Sequence, residues 1–376
     1  MIVFAASVAV PSICLAQIGL EFDLNFTLRG LLGSTRMATL VVALLVIGYF
    51  ADRLGKRAFL TSGLLITACG LAASAAAPGY AALLAAQALV GVGAGSMEAL
   101  LNPLVAELNP RSTAKHLNIV NGLFSVGLVI AALASGEIVH AGGSWRTPVW
   151  LCVPFAALGA LLFFGRGYPA VASHSDRSDQ WRRFMTDPLF WLLFVAMVLG
   201  GGCEAGMTFW GANFVEHELG APPRVGAMTI ALYGAFMAVG RFGSGALVAR
   251  IAPVPLMMGS AIACALATLG LSVAPGVYAA WALFALGGLF VACFWPTILA
   301  VASEQISAGS ATLFALLAGA GISGCVIFPW GIGSLGDLHG LRIGILLLPV
   351  SMVLMVATLG VVAGLLRRRG PARAAD

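Results

Sequence analysis

The chain has 376 residues, 60% of them hydrophobic and only 9% charged, with a formal net charge of +5 and a mean hydropathy of +0.99. Soluble domains carry about 25% charged residues, so this composition excludes a soluble fold and makes lipid the solvent. The basic residues sit in short clusters between apolar runs, which is a topology signal and not a nucleic-acid footprint; no nucleic-acid partner is expected.

A membrane-crossing helix needs about 20 mostly apolar residues. Apolar runs of that kind lie near 2–19, 28–50, 58–76, 80–105, 117–139, 146–165, 188–214, 224–249, 255–273, 277–302, 309–333 and 341–366. They predict an all-α membrane protein of twelve spans. Met1 leads straight into apolar residues with no basic flank, so the first run reads as span 1 and not as a cleaved leader. Its missing flank points to a start further upstream or to a short variant. The longest polar stretch, 166–187, separates spans 6 and 7 and includes Ser173-His-Ser-Asp-Arg-Ser-Asp. It is expected to be a cytoplasmic linker between a six-helix bundle over 1–165 and a second over 188–376, the latter ending in a short basic tail.

The loop charges set an orientation. Fifteen Lys and Arg fall on one side of the predicted spans, Arg241 and Arg250 among them, and four fall on the other: Arg29, Arg146, Arg224 and Arg342. The basic side is therefore expected to be cytoplasmic, with both termini inside and the protein in the inner or plasma membrane. The seven cysteines lie singly within apolar runs, with no metal or redox spacing. No cofactor is expected.

The two halves echo one another. Gly48-Tyr-Phe-Ala-Asp52-Arg53-Leu-Gly55-Lys56-Arg57 follows span 2, and Gly245-Ala-Leu-Val-Ala-Arg250 follows span 8, displaced by 197 positions. Repetition at half length is a transporter signature, with the binding site near mid-membrane between the halves.

Two acids stand out against this apolar background. Glu98 lies in Gly95-Ser-Met-Glu98-Ala-Leu-Leu-Asn102-Pro103 of span 4, about nine residues, or ~13 Å, from the inner end. An ionisable group at that depth costs ~2.5–3.5 kcal/mol on insertion scales and is a functional-site candidate by default. Desolvation suits such a carboxyl to load a proton outside and release it inside. Asn102, one turn further on the same face, offers both donors and acceptors. The alternative is that Glu98 pairs with a base such as Arg36 and ties helices together. Glu204 is the acid of span 7, flanked by Gly200-Gly-Gly202 and Gly206. Trp210, Trp295 and Trp330 are candidate lining residues for a sugar-like solute, and Asn213 shares the face of Trp210. Arg36 is the lone base inside a predicted span. Three roles stay open for it: countering Glu98, contacting an anionic solute, or snorkelling outward.

The loop Gly48…Asp52-Arg53…Gly55-Lys56-Arg57 resembles the signature loop of the major facilitator superfamily, and the span number, central linker and two-fold repetition fit the same family. The resemblance implies that Asp52, Arg53 and Arg57 form charge contacts holding the halves together on the cytoplasmic side. The second copy has Ala249 in place of the acid, with Arg250 beside it. The strings around Glu98, Glu204, Gly240-Arg241 and Cys293-Phe-Trp295-Pro296 look like the fucose-permease-like branch of sugar–proton symporters, which implies proton coupling and substrate binding at Glu98. The acid that this branch's fucose transporter carries in span 1 is absent from Ala9-Val-Pro11-Ser12-Ile.

The expectation is thus a monomeric secondary transporter, a proton-coupled symporter of a small polar solute such as a sugar, powered by the proton gradient. An exporter of drugs or other small molecules is the alternative, and a non-transporting scaffold or sensor comes third. No Ser/His/Asp arrangement, metal spacing or phosphate loop points to an enzyme.

Overall fold

The computed structural model describes residues 1–54, 56–108, 113–165, 185–247, 250–306 and 311–369, and of Gly48, Asp52, Arg53 and Asn102 it describes the backbone alone. The greater part of the proposed linker and Gly55 lie outside the described residues. All regular structure among the described residues is helical. Lipid offers no partner to a free backbone N–H or C=O, so each apolar stretch satisfies its polar groups within its own helix.

Among the described residues eleven helices are long and apolar enough to cross a membrane, and a bent pair taken as one span makes a twelfth. Span 1 is that pair, Ile2–Ile13 and Leu15–Glu21, bent by 52°. Spans 2 to 6 are Phe26–Leu54, Lys56–Ala76, Tyr80–Leu108, Thr113–His140 and Arg146–Phe164. Spans 7 to 9 are Pro188–Glu218, Pro223–Leu247 and Pro253–Ser272. Span 10 divides into Val277–Val291 and Phe294–Gln305, span 11 is Ala311–His339, and span 12 joins Leu341–Gly344 to Leu347–Arg369. The face where span 1 begins is here called the near face and the opposite one the far face.

The bend in span 1 has a local cause. Pro11 has no N–H, so the carbonyl of Ser7, four residues earlier, loses its helical donor. The Arg36 guanidinium of span 2 fills the gap, Nη1 donating to the Ser7 carbonyl at 3.1 Å.

The 197-residue displacement seen in the loops recurs in the packing. Ser7 and Glu204 are 197 positions apart, as are Arg36 and Tyr233. In the second half the Tyr233 hydroxyl donates to the Glu204 carbonyl at 3.4 Å, the same contact made by a neutral group. Gly91 and Gly288 share the displacement too. A Cβ on Gly91 would overlap the Arg36 carbonyl, and one on Gly288 would overlap that of Tyr233. Spans 2 and 4, and spans 8 and 10, cross closely because these positions lack side chains.

The halves meet chiefly where span 2 lies along span 11 and span 5 along span 8, with a smaller contact between spans 1 and 7. The identified polar bonds between the halves lie toward the far face. Asp337, at the end of span 11, accepts from the Phe26 and Thr27 backbone N–H groups at 2.7 and 2.8 Å, capping the start of span 2. Gln17 donates to Glu216 at 3.2 Å, Arg224 pairs with Glu137 at 2.6 Å, and the Ser34 hydroxyl reaches the Val326 carbonyl. The far face is closed.

The glycine crossings should be intolerant. Gly91→Leu or Gly288→Leu is expected to lower the unfolding free energy of the detergent-solubilised protein by ~1–3 kcal/mol through overpacking. Gly259→Ala, where a Cβ meets nothing within 4 Å, should stay within about 0.5 kcal/mol of the parent. Equal thermal-melt shifts for all three would contradict the close-approach account.

Candidate functional site

The middle of the molecule holds four charged side chains, each from a different span: Arg36, Glu98, Glu204 and Arg241. Glu204 and Arg241 form an ion pair, Arg241 Nη2 to Glu204 Oε1 at 3.2 Å, with 24% of the Glu204 side chain and 27% of the Arg241 side chain exposed. Glu204 lies 16 residues, or about 24 Å of helix, from the near-face end of span 7. Arg241 stands six residues before Leu247 in span 8. With the far face closed, the pair keeps a partly accessible surface deep in the molecule.

The sequence reading counted Arg241 among the cytoplasmic loop charges. That is corrected here: Arg241 lies inside the span 8 helix and is the partner of Glu204. Its nearness to the helix end disguised it as a positive-inside residue. An acid and a base inside neighbouring spans were the available signal.

Glu98 is half-buried in span 4, ten residues before Leu108. No hydrogen bond or ion pair to its carboxylate is found among the described residues. The cations whose charge reaches it are Arg241 of span 8 and the Met1 amino group. Arg36 does not pair with it. Arg36 is buried, 2% exposed, so it does not snorkel. Its Nη1 serves the Ser7 carbonyl and, at 3.4 Å, Gln87 Oε1, and its Nε has no partner. The Gln87 amide is held in turn by donating to Ser74 Oγ at 3.1 Å.

Trp295, 197 positions beyond Glu98, is partly exposed. Its ring lies against Gly321 of span 11, and it packs on the cluster that includes Leu40, Met97 and Ile322. Trp210 does not line a cavity in this conformation. It is fully buried, its indole N–H donates to the Pro329 carbonyl at 3.0 Å, and its ring makes edge contacts with Phe26 and Phe209. An aromatic at a helix crossing filled the seam instead of a binding site. Asn213 is 1% exposed, and neither end of its amide has a partner. Trp330 is 48% exposed, next to Pro329.

Arg57, at the start of span 3, sets its guanidinium over the Phe164 ring of span 6 at 4.8 Å, a contact within the first half. The side chains of Asp52, Arg53 and Asn102 lie outside the described residues, and Arg250 is exposed. Unforeseen in the sequence were Gln17, Ser34, Gln87, Glu216 and Asp337, polar residues that hydropathy does not distinguish from helix-end residues. Among the described residues no group of His, Cys, Asp and Glu is arranged to hold a metal.

Residues 1–329 match the Major Facilitator Superfamily. The chain belongs to that superfamily of membrane transporters. Among curated relatives it is 23% identical over 259 residues to the cis,cis-muconate transport protein of Acinetobacter baylyi, covering 64% of this chain and 61% of that one. It is 34% identical over 142 residues to the inner membrane metabolite transport protein YgcS of Escherichia coli, covering 36% of this chain and 30% of that one. The chain thus spans about six-tenths of the first relative's length and less of the other. Its fold matches that of a bacterial homolog of the human lysosomal transporter Spinster in an inward-facing and occupied conformation, with TM-score 0.85, 17% identity, and coverage of 99% and 96% of the two chains. It also matches a D-xylose–proton symporter (0.80, 16%, 95% and 94%) and the E. coli fucose:proton symporter (0.64, 18%, 96% and 96%).

The far-face contacts yield a test. Asp337→Ala removes the cap that ties span 11 to the start of span 2. In a cysteine-free background carrying Ser34→Cys, a seam position only 5% exposed, it should raise the rate of maleimide labelling severalfold, since an exposed hydrogen-bonded contact is worth about 1 kcal/mol. An unchanged rate would mean that Asp337 does not hold the far face shut.

Proposed function

We propose that this transporter is a proton-coupled symporter of a small polar solute, working by alternating access between its two halves, with Glu98 as the proton carrier. The observation that carries this reading is the unpartnered state of Glu98. A carboxylate deep in a membrane helix is tolerated when ion-paired, as Glu204 is, or when it takes up a proton. Glu98 has no such partner among the described residues. Glu98 is therefore an acid at the centre of the molecule that is free to change its charge during a transport cycle, while Glu204–Arg241 stays electrically balanced. Glu216, the acid of span 7 without an ion pair among the described residues, lies near the far-face end and is held by Gln17.

The excess of basic residues at the near face supports a cytoplasmic near face. On that reading the conformation is inward-facing, sealed outside by the Asp337, Ser34, Gln17 and Arg224 contacts. When these open, Glu98 meets the external medium and takes up a proton; closure returns it to the inside. Asp52, Arg53 and Arg57 are proposed to help close the cytoplasmic side in the opposite state, and the chain is proposed to work as a monomer with both termini inside. Relatives named for muconate and structural neighbours named for xylose and fucose are consistent with a small, polar, oxygen-rich solute.

One observation favours a second reading, proton-linked export of an apolar compound. A groove of about 730 Å³ lies between spans 5 and 8, lined by residues such as Val126, Val129, Ile130, Gly234 and Phe242. That size and character suit a drug-like molecule. Resistance gained by a drug-sensitive strain on expression would favour it.

The coupling test uses purified protein in liposomes. Glu98→Gln should abolish solute accumulation driven by a pH gradient while solute exchange across the membrane at equal pH continues. Normal accumulation by the Gln variant would exclude Glu98 as the coupling site.

A further inference from the structure

We propose that the transported solute carries a carboxylate and that Arg36, oriented with Gln87, is the residue that binds it; this rests on the proton-coupled reading above. The argument begins with the cost of the residue. A guanidinium removed from water needs a counter-charge to offset its desolvation. Arg36 is 2% exposed and finds two neutral oxygens, both on Nη1, while Nε is left without a partner.

A structural duty explains the side chain but not its charge. The carbonyl that Pro11 frees in span 1 needs a donor, and Arg36 supplies it. The carbonyl at the matching position of the second half, that of Glu204, is not freed by a proline, and it accepts from the neutral hydroxyls of Thr208 at 2.8 Å and of Tyr233, the residue 197 positions beyond Arg36, at 3.4 Å. Neutral donors thus suffice at this position in one half, where the other half places a permanent cation. The cation has a second purpose.

Arg36, Gln87 and Ser74 are the polar side chains bordering a cavity of about 10 Å³ that is otherwise lined by apolar residues such as Leu15, Leu83 and Trp145 and by Phe209 of span 7. That volume holds no more than a water. Phe209 also presses on Gly33 of span 2, one turn from Arg36. Phe209 is the lining residue that the other half contributes, so parting of spans 2 and 7 as the far face opens would widen the cavity on that side. A guanidinium presents a planar fork that matches a carboxylate. The ordered Gln87 amide supplies a neighbouring polar contact for a hydroxyl or the second oxygen.

Charge balance links this site to Glu98. The Glu204–Arg241 pair is neutral, which leaves Arg36 and Glu98 as separated opposite charges. A carboxylate bound at Arg36 adds one negative charge to the centre of the molecule, and a proton on Glu98 restores its total. One proton then moves with each carboxylate and no net charge crosses the membrane. A neutral solute moving with a proton would carry charge.

The test uses the full chain in liposomes with radiolabelled lactate, gluconate and benzoate as carboxylates and glucose as the neutral probe. The membrane potential is set by potassium and valinomycin. An acidic exterior should drive accumulation of at least one carboxylate, and an interior-negative potential should leave its rate unchanged. Arg36→Gln, whose amide still has an N–H for the Ser7 carbonyl, should lose at least tenfold of that uptake while keeping its melting temperature; Arg36→Lys should retain part of it. In a melting assay, the transported carboxylate should stabilise the parent protein and not the Gln variant.

The proposal is overturned if none of the three carboxylates is transported or stabilises the parent, or if Arg36→Gln transports normally. It is also overturned if glucose alone accumulates with the pH gradient, a result that leaves the proton-coupled reading intact. Carboxylate uptake that needs Arg36 but ignores the pH gradient would support the anion site and overturn the proton-coupled reading instead.

Discussion

In a membrane interior every charge needs an answer, and the four charged side chains at the centre of this molecule are answered in different ways. Glu204 and Arg241 answer each other across spans 7 and 8. Arg36 is spread over the neutral oxygens of Ser7 and Gln87. Glu98 has no bonded partner among the described residues, and that leaves protonation as its way to lower the cost of burial. The proposed transport chemistry depends on that inequality. An ion pair holds its charge, whereas a solitary carboxyl changes its charge with whichever side it faces.

The internal repeat shows that these charges are additions to a common framework. The crossings through Gly91 and Gly288 and the donor contacts of Arg36 and Tyr233 match at one displacement. At that same displacement the charged residues meet neutral ones: Arg36 with Tyr233, Glu98 with Trp295, Glu204 with Ser7 and Arg241 with Leu44. The framework packs with or without the charge. At these positions each half therefore carries one acid and one base that its sister lacks, and the difference falls at the centre of the molecule while the helix crossings keep their symmetry.

Much of the architecture was legible in the sequence because hydropathy reads lipid contact directly. The twelve apolar runs became the twelve spans, extended at several ends where helix continues past the apolar stretch, as from 28–50 to Phe26–Leu54. The depth of Glu98 and Glu204 was equally readable from position along a helix. Partners were not. Arg241 sits near a helix end and resembled a loop anchor, and only the packing of span 8 on span 7 turns it toward Glu204. Trp210 looked like a sugar platform, yet the closure of spans 2, 7 and 11 makes it a seal. Asp337 resembled an ordinary loop acid until the end of span 11 met the start of span 2. Such pairings depend on which helix faces which, information that a single span does not contain.

The central claim is that Glu98, and not Glu204, changes its protonation during transport. Infrared difference spectroscopy on membrane-reconstituted protein reads this directly, through the carbonyl stretch of a protonated carboxyl recorded as the pH is changed. The account predicts, in a Glu216→Gln background that removes the acid of span 7 lacking an ion pair among the described residues, a pH-dependent band present in the parent and in Glu204→Gln and absent from Glu98→Gln. A band that persists in Glu98→Gln and disappears in Glu204→Gln would contradict it.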